Sequence, residues 1–178
     1  MTDGPGPCPG CGFGAPTVSP SDALAAARSF PRRYRALLVR PDEDDPEIAH
    51  RRPGPGEPAA VDHAAAAAAG MRAAAAALEA VAGHEGALVD LGADPGRSVA
   101  GAAGPRSLDE VLGHVSGAAG ALAAAVEAVR GDAWARTGVL PGGGPVLALD
   151  VARAGVHAGA HHLRAADRVL ALVRSGAR

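Results

Sequence analysis

The C-terminal part of the chain carries the clearest apolar repeat. Leucine or valine recurs there every seven positions, and small residues fill the positions between them. This pattern predicts a helix over about residues 146–173, with a seam at which a neighbouring helix can approach closely. The seam consists of Leu149, Ala152, Val156, Gly159, Leu163, Ala166, Leu170 and Val173.

A second helical pattern begins at Ser107. The sequence Ser-Leu-Asp-Glu matches a capping box, in which the side chains of Ser107 and Glu110 each bind a free backbone N–H of the other residue. Apolar residues then repeat at helical spacing as far as Val129, and Gly131 is expected to close the helix.

Two further helices are expected nearer the N-terminus. The first begins at Ser21 as its N-cap and continues to about Arg40, with Pro31 expected to end or kink it. The second runs over about residues 59–82, where the alanine content favours helix strongly. Residues 84–105 are mixed in character, with one helical turn expected near residues 87–91.

No convincing strand pattern is present, so the sequence predicts an all-α fold. We expect an antiparallel four-helix bundle over residues 21–178, preceded by an irregular arm over residues 1–20 that is rich in Pro and Gly.

The composition narrows the functional classes. Aromatic residues make up only 2% of the chain and alanine dominates its apolar content, so the core should be thin and the helices closely packed. The net charge is −2 and every basic residue is Arg, so the chain lacks the positive electrostatic potential that general nucleic-acid binding needs.

We expect no membrane span, because no run reaches the ~18 uninterrupted apolar residues that a span needs. No signal peptide is evident at the N-terminus, so we expect a cytoplasmic protein, with the alanine face of the second helix available for a homodimer.

Three of the seven histidines lie within six residues of one another. His157 and His161 are four positions apart, so their side chains lie on one face of the predicted helix. Two such imidazoles can share a divalent metal ion, which a third ligand from another helix would complete. The alternative is that both are solvated, because the same side of the helix carries Arg153, Arg164 and Arg168. A metal site requires this side to line a cleft, and the arginines could then hold an anionic substrate group.

Two histidines are candidates for the third ligand. His63 lies near the start of the second helix, and His114 lies on the flank of the third. His114 could instead be a boundary histidine bonded to a carbonyl group.

Cys8 and Cys11 form a CxxC pair in the arm. Two thiolates at this spacing supply half of a tetrahedral zinc site, and the other half would come from elsewhere, for instance from His50 or His84. A redox dithiol and plain arm cysteines are the alternatives.

These motifs resemble a known family. The stretch Gly131-Asp-Ala-Trp-Ala-Arg-Thr-Gly138, with the later segment around His157, His161 and His162, resembles the C-terminal half of DinB-like proteins. The arm motif Cys-Pro-Gly-Cys-Gly-Phe is similar to that of an actinobacterial-type branch of the family. The family includes damage-inducible DinB proteins, mycothiol-dependent maleylpyruvate isomerase and bacillithiol transferases.

The resemblance implies a four-helix bundle with zinc or nickel at one end. Its metal ligands are one His of the second helix and the HxxxH pair of the last, which implies His157 and His161 here, with His63 favoured by chain order. The chain departs from the family at Pro58 and Ala59, where Trp-Ser is usual, and at Ala66, where the ligand is expected. Conversely, the segment from Ser107 to His114 is similar to the family's second-helix motif.

Two functions follow as expectations. The first is a metal-dependent transferase or isomerase that acts on a small-molecule substrate with a low-molecular-weight thiol such as mycothiol. The second is a non-catalytic metal-binding bundle, either with a structural metal or as a degenerate interaction module. A site of three histidines with an open coordination position would favour the enzyme, and a closed site would favour the bundle.

Overall fold

The structure is a computed structural model that describes residues 7–40, 45, 47–91, 99 and 107–176. Within these residues the chain forms four α-helices and a small sheet. The helices are α1 (Pro20–Leu38), α2 (Ala60–Gly83), α3 (Leu108–Ala128) and α4 (Ala148–Ser175). The strands are β1 (Ala87–Leu88), β2 (Thr137–Val139) and β3 (Pro145–Leu147).

Helix α1 begins slightly earlier than the sequence suggests and continues through its proline. Ser19, not Ser21, is the N-cap, and its hydroxyl accepts a hydrogen bond from the backbone N–H of Asp22 at 3.2 Å. Pro31 lies inside the helix and does not end it. Phe30 and Tyr34 flank it in the chain and are both fully buried, so tertiary packing keeps this segment helical despite the missing N–H donor.

The capping box of α3 is confirmed. The Ser107 hydroxyl accepts from the N–H of Glu110 at 3.2 Å, and the Glu110 carboxylate accepts from the N–H of Ser107 at 2.8 Å. The helix ends at Ala128, before the predicted stop at Gly131, which has a positive φ of 50° and begins a short 3₁₀ helix.

The expectation of no strands is wrong. Strand β2 lies in the middle of a three-stranded sheet, parallel to β1 and antiparallel to β3. The helical turn expected near residues 87–91 is absent from the described structure, where Ala87 and Leu88 form β1. Gly138 of β2 fits where a side chain would not, since a Cβ there would lie 2.6 Å from a Val81 methyl group.

Helices α2 and α4 pack closely through small residues. A Cβ on Gly70 would lie 2.7 Å from the Cβ of Ala158, and one on Gly155 would lie 2.8 Å from that of Ala74. Higher-numbered residues of α2 therefore meet lower-numbered residues of α4, so these two helices run in opposite directions. The glycines permit the close approach that the small-residue seam predicts.

Helices α1 and α4, in contrast, run in the same direction. Val18, just before α1, accepts a hydrogen bond from Arg153, whereas Phe30 packs on Gly159. The Tyr34 hydroxyl also donates to the Gly159 carbonyl at 2.8 Å in the core. Contacts advance in the same direction along both helices, so the antiparallel arrangement predicted for the whole bundle is not confirmed.

Two helices differ from the expectation that no segment is long and apolar enough to span a membrane. By length and composition alone, α2 and α3 are apolar enough to cross a membrane, each with a mean hydropathy of 1.3 over an 18-residue window. About half of each window is nevertheless buried inside the fold, 56% for α2 and 50% for α3. Core helices of soluble proteins can be equally long and apolar.

Candidate metal centre

The arm folds into a tight turn over residues 8–13, which we call the cysteine turn. The Cys8 carbonyl accepts hydrogen bonds from the N–H groups of Cys11 at 3.2 Å and Gly12 at 2.6 Å, and the Cys8 N–H donates to Phe13 at 3.0 Å. Gly12 has a positive φ of 70°, which glycine adopts without a steric penalty. The turn therefore brings both thiols to one side of the arm.

Helix α4 presents the two histidines to this turn. His157 and His161 lie one helical turn apart, and their rings are 5.6 Å apart at an interplanar angle of 87°. The Phe13 ring stacks on His157, with centroids 5.1 Å apart and planes 10° from parallel. Gly10 lies so close to His161 that a Cβ there would be 2.9 Å from its Cε1 atom. The arm therefore packs directly against both imidazole rings.

Four potential ligands converge at this contact. One ligand atom from each of Cys8, Cys11, His157 and His161 lies within 4.8 Å of every other, and all four side chains are partly buried. The Cys8 Sγ and His161 Nδ1 atoms are 3.6 Å apart. With zinc bonds of ~2.3 Å to sulfur and ~2.0 Å to nitrogen, a tetrahedral site has a sulfur–nitrogen edge of about 3.5 Å, close to this separation. The group could therefore hold a metal ion with two sulfur and two nitrogen ligands.

Two arginines of α4 fasten the arm from either side of the histidines. Arg168 donates to the Gly10 carbonyl at 2.8 Å, and Arg153 donates to the Val18 carbonyl at 2.9 Å. The sequence placed these arginines on the same helix side as His157 and required that side to line a cleft. The arm forms the second wall of that cleft.

The surroundings of the Cys11 thiol act on its pKa in opposite directions. Partial burial raises the pKa of Cys11, and the neighbouring Cys8 thiol adds to that increase. The positive charge of Arg164 acts against it, because it favours the thiolate. A bound divalent cation would favour the thiolate in the same way and more strongly.

His63, the predicted third ligand, lies elsewhere in the described structure. Its Nδ1 atom is 3.3 Å from Nδ1 of His162, and both side chains are buried. Burial lowers the pKa of each histidine to about 4, so both are neutral near pH 7. His63 is not a member of the four-residue group, and its role as a metal ligand stays a prediction.

The other histidines considered from the sequence are separate from the group. His114 is exposed, and its carbonyl accepts a hydrogen bond from Arg72 at 3.4 Å. His50 lies 3.3 Å from the Glu47 carboxylate, and His84 is exposed. Neither His50 nor His84 belongs to the four-residue group, in which His157 and His161 accompany the CxxC pair instead.

The pairing of the two half-sites was not predicted from the sequence. The chain contains a CxxC pair and an HxxxH pair, each of which supplies two of the four ligands of a tetrahedral zinc site. Their complementarity was the available indication that they belong together. The separation along the chain does not indicate this contact, because Cys8 and His161 are 153 positions apart.

Comparisons with known proteins add no relative. No family model matches the chain, and neither the curated proteins nor the solved structures contain a significant match.

Proposed function

We propose that Cys8, Cys11, His157 and His161 bind one zinc ion, and that this zinc is structural. The observation that carries the proposal is the convergence of the four ligand atoms, with a Cys8 Sγ to His161 Nδ1 separation close to a tetrahedral edge. The protein would then be a helical bundle whose N-terminal arm is fixed to its last helix by a metal.

The donor set favours zinc over nickel. Two thiolates with two imidazoles at tetrahedral spacing are typical of zinc, whereas Ni²⁺ prefers a tetragonal or square-planar set of nitrogen and oxygen ligands. Zinc supplies no redox chemistry here. Its contribution is four bonds that join the cysteine turn to α4.

The number of protein ligands favours a structural over a catalytic role. Catalytic zinc sites hold the ion with three protein ligands and leave a position for water or substrate, whereas structural sites are closed by four. A four-ligand site leaves no position for the sulfur of a thiol co-substrate. The thiol-dependent transferase or isomerase activity implied by the resemblance to DinB-like proteins stays a prediction.

Measuring the metal content of the purified protein tests the proposal. We expect about one zinc per chain by elemental analysis. Cys8→Ser and His161→Ala should each lower the content well below one, because three remaining ligands bind zinc far more weakly.

Matched histidine variants distinguish this site from the predicted site of three histidines. His63→Ala removes the predicted third ligand, and His84→Ala removes an exposed histidine outside the group. Both should retain the wild-type zinc content. Loss of zinc in His63→Ala together with retention in Cys8→Ser would contradict the proposal and support the site of three histidines. A wild-type protein purified without metal that takes up no added zinc would also contradict it.

Thiol-dependence assays address the enzymatic alternative. Turnover of an electrophile that requires both a low-molecular-weight thiol and His157 would show that the metal has an open position. That result would replace the structural role with a catalytic one.

A further inference from the structure

An open groove lies between α1 and α4. It encloses about 460 Å³, a size that suits a small molecule. Apolar side chains and three charged groups share its wall. The lining residues are Arg33, Ala36, Leu37, Leu163, Arg164 and Asp167.

Among the side chains that the structure describes, no carboxylate pairs with Arg33 or Arg164. Within the described residues, Arg33, Arg164 and Asp167 form no hydrogen bond or ion pair, although Arg164 and Asp167 are only three positions apart on α4. The Arg33 guanidinium lies 5.8 Å from the centroid of the buried Phe30 ring, which restricts where it can point. Two guanidinium groups at one groove therefore keep their donors available to a ligand.

Guanidinium groups are suited to one class of ligand. Their planar fork of N–H donors matches a carboxylate or phosphate and binds it through two parallel hydrogen bonds. The apolar stretch formed by Leu37 and Leu163 would contact a hydrocarbon portion of the same molecule. Inorganic phosphate would use the arginines alone, whereas an organic carboxylate would use both parts of the wall.

We infer that this groove binds a small organic carboxylate, with its anionic group between Arg33 and Arg164 and its hydrocarbon portion on Leu37 and Leu163. Asp167 places a negative charge in the same groove, which weakens the binding of a plain anion and can accept a hydrogen bond from a ligand hydroxyl or ammonium group. The inference does not depend on the zinc ion.

Titration with simple probes tests this site. Hexanoate should bind saturably at low ionic strength with a Kd on the order of 1 mM, followed by calorimetry or by NMR chemical shifts of α1 and α4. Hexanamide, which lacks the charge, and acetate, which lacks the chain, should both bind at least several-fold more weakly. Inorganic phosphate should also bind more weakly than hexanoate.

Four substitutions are expected to change the affinity for hexanoate in different directions. Arg33→Gln and Arg164→Gln should each weaken hexanoate binding about 10-fold, since each removes a charged hydrogen-bond donor. Asp167→Asn should strengthen it about two- to five-fold, because a repelling charge is lost. Arg32→Gln changes an exposed arginine of α1 that does not line the groove and should leave the Kd unchanged.

The zinc content of each variant is measured in parallel, because Arg164 also lies near Cys11. A protein that binds hexanoate but contains no zinc would refute the metal proposal and leave the groove intact. Absence of saturable hexanoate binding, equal binding of hexanamide, or unchanged affinity in both arginine variants would overturn the carboxylate site. Equal affinity for acetate and hexanoate would overturn the role given to Leu37 and Leu163.

Discussion

The Nδ1 atoms of His63 and His162 lie 3.3 Å apart across the contact between α2 and α4. Both side chains are almost fully buried, at 9% and 3% exposure. Because a neutral imidazole has one donor and one acceptor nitrogen, one Nδ1 must carry a hydrogen and the other must accept it. The pair is therefore a neutral hydrogen bond that joins the two helices.

Removing one member of the pair should destabilise the protein. In His63→Ala, the buried Nδ1 of His162 loses its partner, and we expect the free energy of unfolding to fall by about 2 kcal/mol. Urea unfolding of the zinc-loaded protein measures this change. His114→Ala removes an exposed imidazole and should change stability by less than about 0.5 kcal/mol. Equal effects of the two variants would argue against a structural role for the pair.

The pair should also make stability depend on pH. Folded His63 has a pKa of about 4 because burial opposes its charged form, and unfolded His63 titrates near 6.5. Between these values the unfolded chain binds more protons, so the contribution of His63 is complete above about pH 6.5 and is lost as the pH falls towards 4. The neighbouring charge of Asp62 acts against the lowering, whereas His161 and Arg168 add to it.

Comparison with His63→Gln isolates this effect. Proton uptake by groups outside the pair, among them the proposed cysteine and histidine ligands, affects both proteins alike, so it cancels in the difference. The stability advantage of wild type over the variant should shrink by up to about 1.4 kcal/mol per pH unit below pH ~6.5. An advantage that stays constant from pH 7 to about pH 5 would contradict the lowered pKa.

The close approach of α1 to α4 depends on Gly159. A Cβ at this position would lie 2.5 Å from Cε2 of Phe30, whose side chain is fully buried. Gly159→Ala should therefore lower stability by about 1–3 kcal/mol, as measured by thermal or urea unfolding. Gly117 of α3 is exposed, and a Cβ there would have no atom within 4 Å. Gly117→Ala should instead stabilise the protein by about 0.5–1 kcal/mol, and destabilisation there would show that the steric argument is incomplete.

The proposed zinc site should be sensitive to the size of residue 10. A Cβ on Gly10 would lie 2.9 Å from Cε1 of His161, so Gly10→Ala would push the cysteine turn away from a ligand. We expect zinc affinity to fall at least about 10-fold in a competition with a chromogenic chelator. Gly14→Ala is the control, because its added methyl group would meet only the Thr17 hydroxyl at an ordinary 3.8 Å. Similar affinities for the two variants would contradict the proposed arrangement of the turn.

Local patterns in the sequence predicted much of the helical structure. The capping box at Ser107 and Glu110 depends on residues three apart, and the structure reproduces it. The seam of α4 was predicted for the same reason, since its spacing directly reflects the helical repeat. Pro31 shows the limit of such local rules, because the burial of Phe30 and Tyr34 outweighs the helix-breaking preference of proline.

Features that depend on distant contacts could not be predicted in this way. The strands have two or three residues each, too few to show an alternating pattern, and β1 pairs with a segment about 50 positions later. The metal group was predicted only in halves. His157 and His161 were identified from their spacing, and the pairing with Cys8 and Cys11 depends on how the arm folds back over α4.

The contact between the arm and α4 has a mechanical consequence. Gly10 is hydrogen-bonded to Arg168, and Cys8 lies against His161, so residues near the two ends of the chain are fastened together. A force that pulls the two termini apart would act first on this junction. The chain between the two contact points would carry no tension until the junction broke. A metal ion there would set the force at which the rest of the bundle begins to bear load.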